Sequence, residues 1–179
     1  MPGQFLTAAE RERLNRLPVD ISREDLITFF TLTSADLGLI PVKSPAHNRL
    51  GFALQLGALR YLGFCPDDLM TTPPSVVKYV ASQLGIDPQE ITRYGQREQT
   101  RTDHVKNVEA YLGFRRAEDV DLHELSQWLV KRALEHDKPT LLFQMASEKL
   151  YAAKIVRPGV TVLERLVITA RQTAREETY

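Results

Sequence analysis

The sequence has almost no cysteine. Cys65 stands alone among 179 residues, so no internal disulfide can form and a closed multi-cysteine zinc site is excluded. It has no excess charge either, with 23 basic residues against 23 acidic ones. A uniformly basic nucleic-acid coat is therefore excluded, and any anion-binding surface has to be local. Long apolar runs are missing as well. The first thirty residues already carry Glu10, Arg11, Glu12 and Arg13 with no apolar stretch behind them, which excludes a secretory signal and a transmembrane helix and makes a reducing, cytoplasmic setting the expectation.

The motifs of common enzyme classes are also missing. There is no GxxxxGK[ST], GxGxxG, HExxH, GxSxG or CxxC. The four histidines, His47, His104, His123 and His136, have no metal-ligand spacing. No carboxylates pair into an acid/base or two-metal set. No catalytic residue, no metal and no cofactor is expected. What is present is a globular composition, 43% hydrophobic and 26% charged, long enough for one domain or two small ones.

No stretch alternates apolar and polar residues over a strand's length, whereas helix signals recur throughout. The predicted fold is all-α and multihelical, with eight to ten helices. Thr7 with Glu10 spells a capping box ahead of residues 8–17, and Ser22 with Asp25 and Thr33 with Asp36 open two further helices. Ser44-Pro45 reads as an N-cap and first helical proline for a long helix over 46–62, apolar on most sides and so expected in the core. Within it Gly51, Ala53, Gly57 and Ala58 allow close approach, while Arg49 and Arg60 should emerge at an edge or pair with carboxylates. Thr102 reads as the cap of a helix ending at Gly113, Asp121 as the start of one over 122–135, Pro139 of one to about 154, and Thr161 with Glu164 as the cap of the last. The charged turn 115–121 is the weakest joint. It divides the chain into a lobe over 1–116 and a second over 117–179.

Residues 77–96 carry the clearest mechanism. They read as helix, tight turn, helix. Ala81 is the small residue where the helices touch, and Gly85 supplies positive φ in the turn. Val80, Leu84, Ile86, Ile91 and Tyr94 staple the two together. As a helix-turn-helix, its second helix, opened by Asp87, Pro88 and Glu90, would present Gln89, Thr92 and Arg93. Glutamine pairs with adenine and arginine with guanine in the major groove. A plain helical hairpin with solvated polar residues fits the same spacing. Residues 41–116 hold ten basic and seven acidic residues, so the local excess lies with this segment. Arg97, Arg101, His104 and Lys106 follow it, then Arg115 and Arg116, as a basic flank suited to phosphates. A solvated helix face accounts for the same spread. A second basic stretch, 149–171, includes Lys154 and Arg157 ahead of Pro158-Gly159. It is a candidate phosphate site at a helix N-terminus, or a loop with surface lysines.

At 44–63 the string His47-Asn48-Arg49-Leu50-Gly51-Phe52-Ala53-Leu54-Gln55-Leu56, followed by Leu59-Arg60-Tyr61, resembles the N-terminal region of Tn-three-type replicative transposases. Pro73-Pro74, Gln83-Leu84-Gly85, Thr100-Arg101 with His104, Leu112-Gly113-Phe114-Arg115, Trp128-Leu129 and Ile155-Val156-Arg157-Pro158-Gly159-Val160 follow in that family's order. The resemblance covers nearly the whole chain. It implies a DNA-binding region that recognises the transposon's terminal inverted repeats, with the catalytic acidic-triad domain far downstream and outside this chain. Its partners would be double-stranded DNA at the transposon ends, the rest of the transposase chain and a second transposase subunit, with no membrane. It also suggests more than one helical DNA-binding unit, the second within 117–179. The competing reading is a helical assembly module without base readout.

Overall fold

The computed structural model describes residues 4–179. Their α-helices run α1 Ala8–Leu14, α2 Arg23–Phe30, α3 Ser34–Leu39, α4 Ala46–Leu62, α5 Pro74–Leu84, α6 Glu98–Leu112, α7 Asp119–Ala133, α8 Pro139–Ala152 and α9 Val160–Thr178. Short 3-10 segments occupy Leu69–Thr71 and Pro88–Arg93. The fold is all-α, as predicted. The strand content among the described residues is one parallel pair of two-residue strands, β1 Arg115–Arg116 beside β2 Ile155–Val156.

Local signals explain most helix ends. The Thr7 hydroxyl accepts from Glu10 N–H while the Glu10 carboxylate accepts from Thr7 N–H. Thr33 and Asp36 form the same reciprocal box, and Ser22 accepts from Asp25 N–H. Gly63, Gly85 and Gly113 all hold positive φ at helix C-termini. At Gly85 the Ile86 N–H reaches back to the Ala81 carbonyl (3.0 Å), closing a Schellman ending.

Several expected caps differ. Thr102 lies inside α6, which begins at Glu98 without a side-chain cap. α4 starts after Pro45, again without one. Instead of capping, the Ser44 carbonyl accepts from Arg49 Nε (3.2 Å). Glu118, not Asp121, is the N-cap of α7, with Asp121 closing the box from the third helical position. A capping signal identifies a nearby helix start, but several polar residues compete for it.

The chain divides into two compact units. One comprises Asn15–Gly113, and the other joins Phe114–Tyr179 to the segment ending at Leu14. The second unit starts after Gly113, and α1 belongs with the C-terminal residues. Within that unit α7, α8 and α9 enclose Leu125, Leu129, Leu142, Phe143, Leu150, Leu163 and Val167, and Leu6 joins this core. The tie is Glu164, 1% exposed. Its carboxylate accepts from the Phe5 and Leu6 N–H groups (2.8 Å each) and from Arg11 Nη2 (2.7 Å). Glu164 therefore serves a segment some 150 residues away rather than capping α9, whose N-cap is Gly159.

In the Asn15–Gly113 unit, α4 is the central element. Every residue from 50 to 59 is buried, and Leu50, Leu54, Leu56 and Leu59 are inaccessible or nearly so. A Cβ at Gly51 would fall on the Tyr94 ring, and one at Gly57 on the Phe30 ring. The two glycines are thus the seats of two aromatic side chains, and small-residue spacing sets how closely α2 and the 3-10 turn approach α4.

Candidate nucleic-acid interface

α5 delivers the chain to the tight turn with Val76, Val77, Val80 and Ala81 buried. Gly85 reverses it at φ 65°. The segment that follows differs from the predicted α-helix. Pro88–Arg93 is a six-residue 3-10 turn. The cause is local. Asp87 accepts from Gln89 N–H (2.9 Å) rather than from Glu90, so the turn starts one residue tighter. Thr92 Oγ1 donates to the Gln89 carbonyl (2.8 Å), Tyr94 N–H donates to the Ile91 carbonyl (3.0 Å), and Gly95 at φ 84° ends it. The helix-turn-helix expectation is corrected to α-helix, turn, 3-10 turn, with α6 after it.

Gln89, Thr92 and Arg93 are all exposed on this turn. Ile91 is half-buried and Tyr94 buried, so apolar and polar sides separate as the spacing predicted. Glu90 accompanies them. Its carboxylate sits 3.8 Å from Arg93 Nη1 and 3.9 Å from His47 Nδ1.

α6 extends the surface. Arg97 is its exposed N-cap, and Arg101 lies one helical turn further, half-buried. The first turn of α6 has no side-chain cap, so its orphan N–H groups share one end with both guanidiniums. Arg101 also borders a cleft of about 310 Å³ lined by Asp67, Asp68, Tyr94 and Gln96. Lys106 is exposed further along α6.

His104 is placed differently from its neighbours. It is half-buried, with Nδ1 2.8 Å from the Tyr94 hydroxyl, its ring stacked on Tyr94 (5.6 Å between centroids) and edge-on to Phe52. Burial pushes its pKa below the ordinary histidine value. Tyr94 is pushed up to about 12 by the same desolvation.

The remaining candidates lie in the other unit, where two of them turn to intramolecular work. Arg115 is held bidentately by Asp121 (2.7 Å twice). Arg157 donates from Nη1 to the Leu14 carbonyl (2.7 Å) and from Nε to the Pro158 carbonyl, and desolvation pushes its pKa down to about 10. Lys154 is exposed at φ 55°, its carbonyl accepting from Arg115 N–H. In addition, the structure holds Lys149 Nζ 4.9 Å and Arg132 5.7 Å from the Trp128 ring centroid. Trp128 itself packs at the core's edge. The lysine contact crosses from α8 to α7 and has no signature in local spacing.

Among the described residues no group of three His, Cys, Asp or Glu could hold a metal ion, and no helix is long and apolar enough to cross a membrane. The arrangement is a multihelical domain presenting a polar turn and a basic helix start. The chain belongs to the family described as Domain of unknown function (DUF4158), whose model matches residues 5–170.

Its relatives are Tn-three-type transposases, of which it matches the N-terminal part. It is 35% identical over 180 residues to the transposase for transposon Tn501 of Pseudomonas aeruginosa, 33% over 182 to that for transposon gamma-delta of Escherichia coli (strain K12), and 32% over 176 to that for transposon Tn1546 of Enterococcus faecium. The alignments cover 100%, 100% and 98% of this chain but 18% of each relative.

Proposed function

We propose that the chain is a sequence-specific double-stranded DNA-binding region for the terminal inverted repeats of a transposon, forming part of a transposase. The observation that carries this reading is the joint exposure of Gln89, Thr92 and Arg93 immediately ahead of α6, whose uncapped first turn carries Arg97 and Arg101. Gln89 and Arg93 have the donor and acceptor groups that base edges require. Arg97, Arg101 and Lys106 supply charge for the phosphates on either side. A six-residue turn enters a groove by its tip, so its base contacts are few and the flanking phosphate contacts fix its register.

Lys154 is a candidate contact of a second DNA-binding unit. His104 and Arg157 support the fold around the contact residues. The kinship with transposases supports the choice of transposon ends as the target, and the chain itself carries no catalytic role in this reading.

Binding to the ends of the parent element, compared with random duplex, tests it. Arg93→Ala or Gln89→Ala should cost about 1–3 kcal/mol toward the cognate repeat and much less toward random DNA. Arg97→Ala should weaken both alike and reduce the salt slope by about one. Equal affinity for cognate and random duplex in the wild type, with no footprint on the repeat, would defeat the reading in favour of an assembly module.

A further inference from the structure

The 3-10 turn is six residues long, too short to hold its own shape in water. Something must fix it, and the contacts around Tyr94 identify what does. Tyr94 follows Arg93 directly and ends the turn through its N–H bond to Ile91. Its ring occupies the space that Gly51 leaves open on α4. Its hydroxyl, 2.8 Å from His104 Nδ1, is the polar contact that joins this ring to α6. Three elements therefore meet on one side chain, the neighbour of a candidate base-reading arginine.

We propose that His104 is a positioning residue for the reading turn: its Nδ1 accepts the Tyr94 hydroxyl proton, locks the turn between α4 and α6, and makes base discrimination depend on the histidine's remaining neutral. This rests on the DNA-binding reading above and adds its regulation. The Tyr94 hydroxyl keeps its proton across the physiological range, because burial holds its pKa near 12, so it is able to donate to the neutral imidazole in the tautomer with its proton on Nε2 and a free acceptor at Nδ1. Protonated histidine has a proton on each ring nitrogen and can no longer accept. A half-buried imidazolium, edge-on to Phe52, also loses part of its hydration, so acid disfavours the ring's inward position, and the pair can stay bonded only if the Tyr94 hydroxyl turns its own proton away.

The other groups facing the pair are Asp103 and Arg101 of α6, Gln55 of α4 and Cys65 beyond it. Asp103 favours the protonated histidine but does not outweigh desolvation. At the far side of the turn His47 of α4 faces Glu90, and Glu90 also faces Arg93. His47 is thus the other histidine beside the turn.

The experiment compares affinity for the cognate repeat and for random duplex of equal length between pH 5.0 and 8.0 at fixed salt, alongside amide-exchange protection factors over the turn. In the wild type the cognate-to-random ratio should fall about tenfold on acidification, within the usual span of coupled equilibria, and Tyr94 N–H protection should fall with it. His104→Asn, whose amide oxygen can replace Nδ1 as acceptor, should keep both near wild-type values at pH 7.5 and abolish their pH dependence. Tyr94→Phe should lower both at every pH. A wild-type ratio and protection that do not change with pH would overturn the proposal. So would an undiminished pH effect in His104→Asn, which would assign it to His47. If protection follows the expected pattern while the wild type shows no cognate preference at pH 7.5, the positioning of the turn stands and the DNA reading falls.

Discussion

Replacing Asp36 with alanine is expected to lower the unfolding free energy by about 2–4 kcal/mol, measured by chemical denaturation, the reduced end of the range for a broken buried ion pair because Arg60 keeps partial access to water. Asp36 is wholly buried. Arg60 grips it bidentately (2.7 Å twice), the Tyr111 hydroxyl donates to it at 2.8 Å, and the Thr33 N–H at 2.9 Å. One carboxylate thereby ties the start of α3 to the C-terminal ends of α4 and α6. Alanine leaves the Arg60 guanidinium, 23% exposed, without that carboxylate and also removes the Asp36 half of the α3 capping box, the bond from Thr33 N–H. Tyr111→Phe removes one part-buried bond from a ring that is partly in water and should cost clearly less. If Asp36→Ala cost no more than Tyr111→Phe, the network would not be the tie described.

The same group sets an acid limit. Burial opposes ionisation of Asp36, but the bonds from Arg60, Thr33 and Tyr111 overcome it and hold its carboxyl well below the ordinary aspartate value. A depressed folded pKa contributes stability that is fully present above the unfolded value of about 4 and is lost as pH falls toward the folded one. The Asn15–Gly113 unit should therefore lose stability progressively below about pH 4, and in Asp36→Asn this part of the acid loss should be missing.

What could be read from the sequence divides along contact range. The Thr7–Glu10, Ser22–Asp25 and Thr33–Asp36 pairs span three residues, and all three form as spaced. The glycine stops at 63, 85 and 113 are equally local, since each follows from a backbone angle. The burial of α4 was visible in its all-round apolar pattern. The glutamate of Thr161-x-x-Glu164 carries the same cap signal and does something else, because its partners at Phe5, Leu6 and Arg11 lie at the other end of the chain. Asp36 was legible as a cap and illegible as the partner of Arg60, 24 residues on. For the candidate site, the exposed side of 88–94 followed from spacing, but the 3-10 geometry did not. An α-turn and a 3-10 turn share the same residues and differ by one position in hydrogen bonding. His104 looked like one more cation in a basic run. Only the approach of Tyr94, seated on Gly51, shows that it points inward.

The N-terminal segment provides the second large expected effect. Glu164→Ala should release the start of the segment, residues 5–11, with amide protection at Phe5 and Leu6 lost and trypsin cleavage after Arg11 accelerated, while Leu14 stays held by Arg157. The reason lies in the arithmetic of donors. One buried carboxylate satisfies two backbone N–H groups and a guanidinium (2.7–2.8 Å), and alanine leaves all three without that acceptor. A stranded buried donor costs about 1–3 kcal/mol, which the packing of Phe5 and Leu6 has to offset, so the start of the segment should detach rather than remain with its N–H groups unmet, while Leu14 stays packed on the core with its carbonyl held by Arg157. Glu164→Gln keeps one acceptor oxygen but no charge and should fall between the two. Acid should mimic the substitution. The three bonds hold the Glu164 carboxyl below the ordinary glutamate value against the effect of burial, so the anchoring is fully present above about pH 4 and fades as pH falls further. The loss should start at Phe5 and Leu6, before α7 and α9 lose their own protection, because those helices share a core of Leu125, Leu129, Leu163 and Val167 that does not depend on the carboxylate. Simultaneous loss of protection in the segment and in α7 would show instead that Glu164 supports the whole unit.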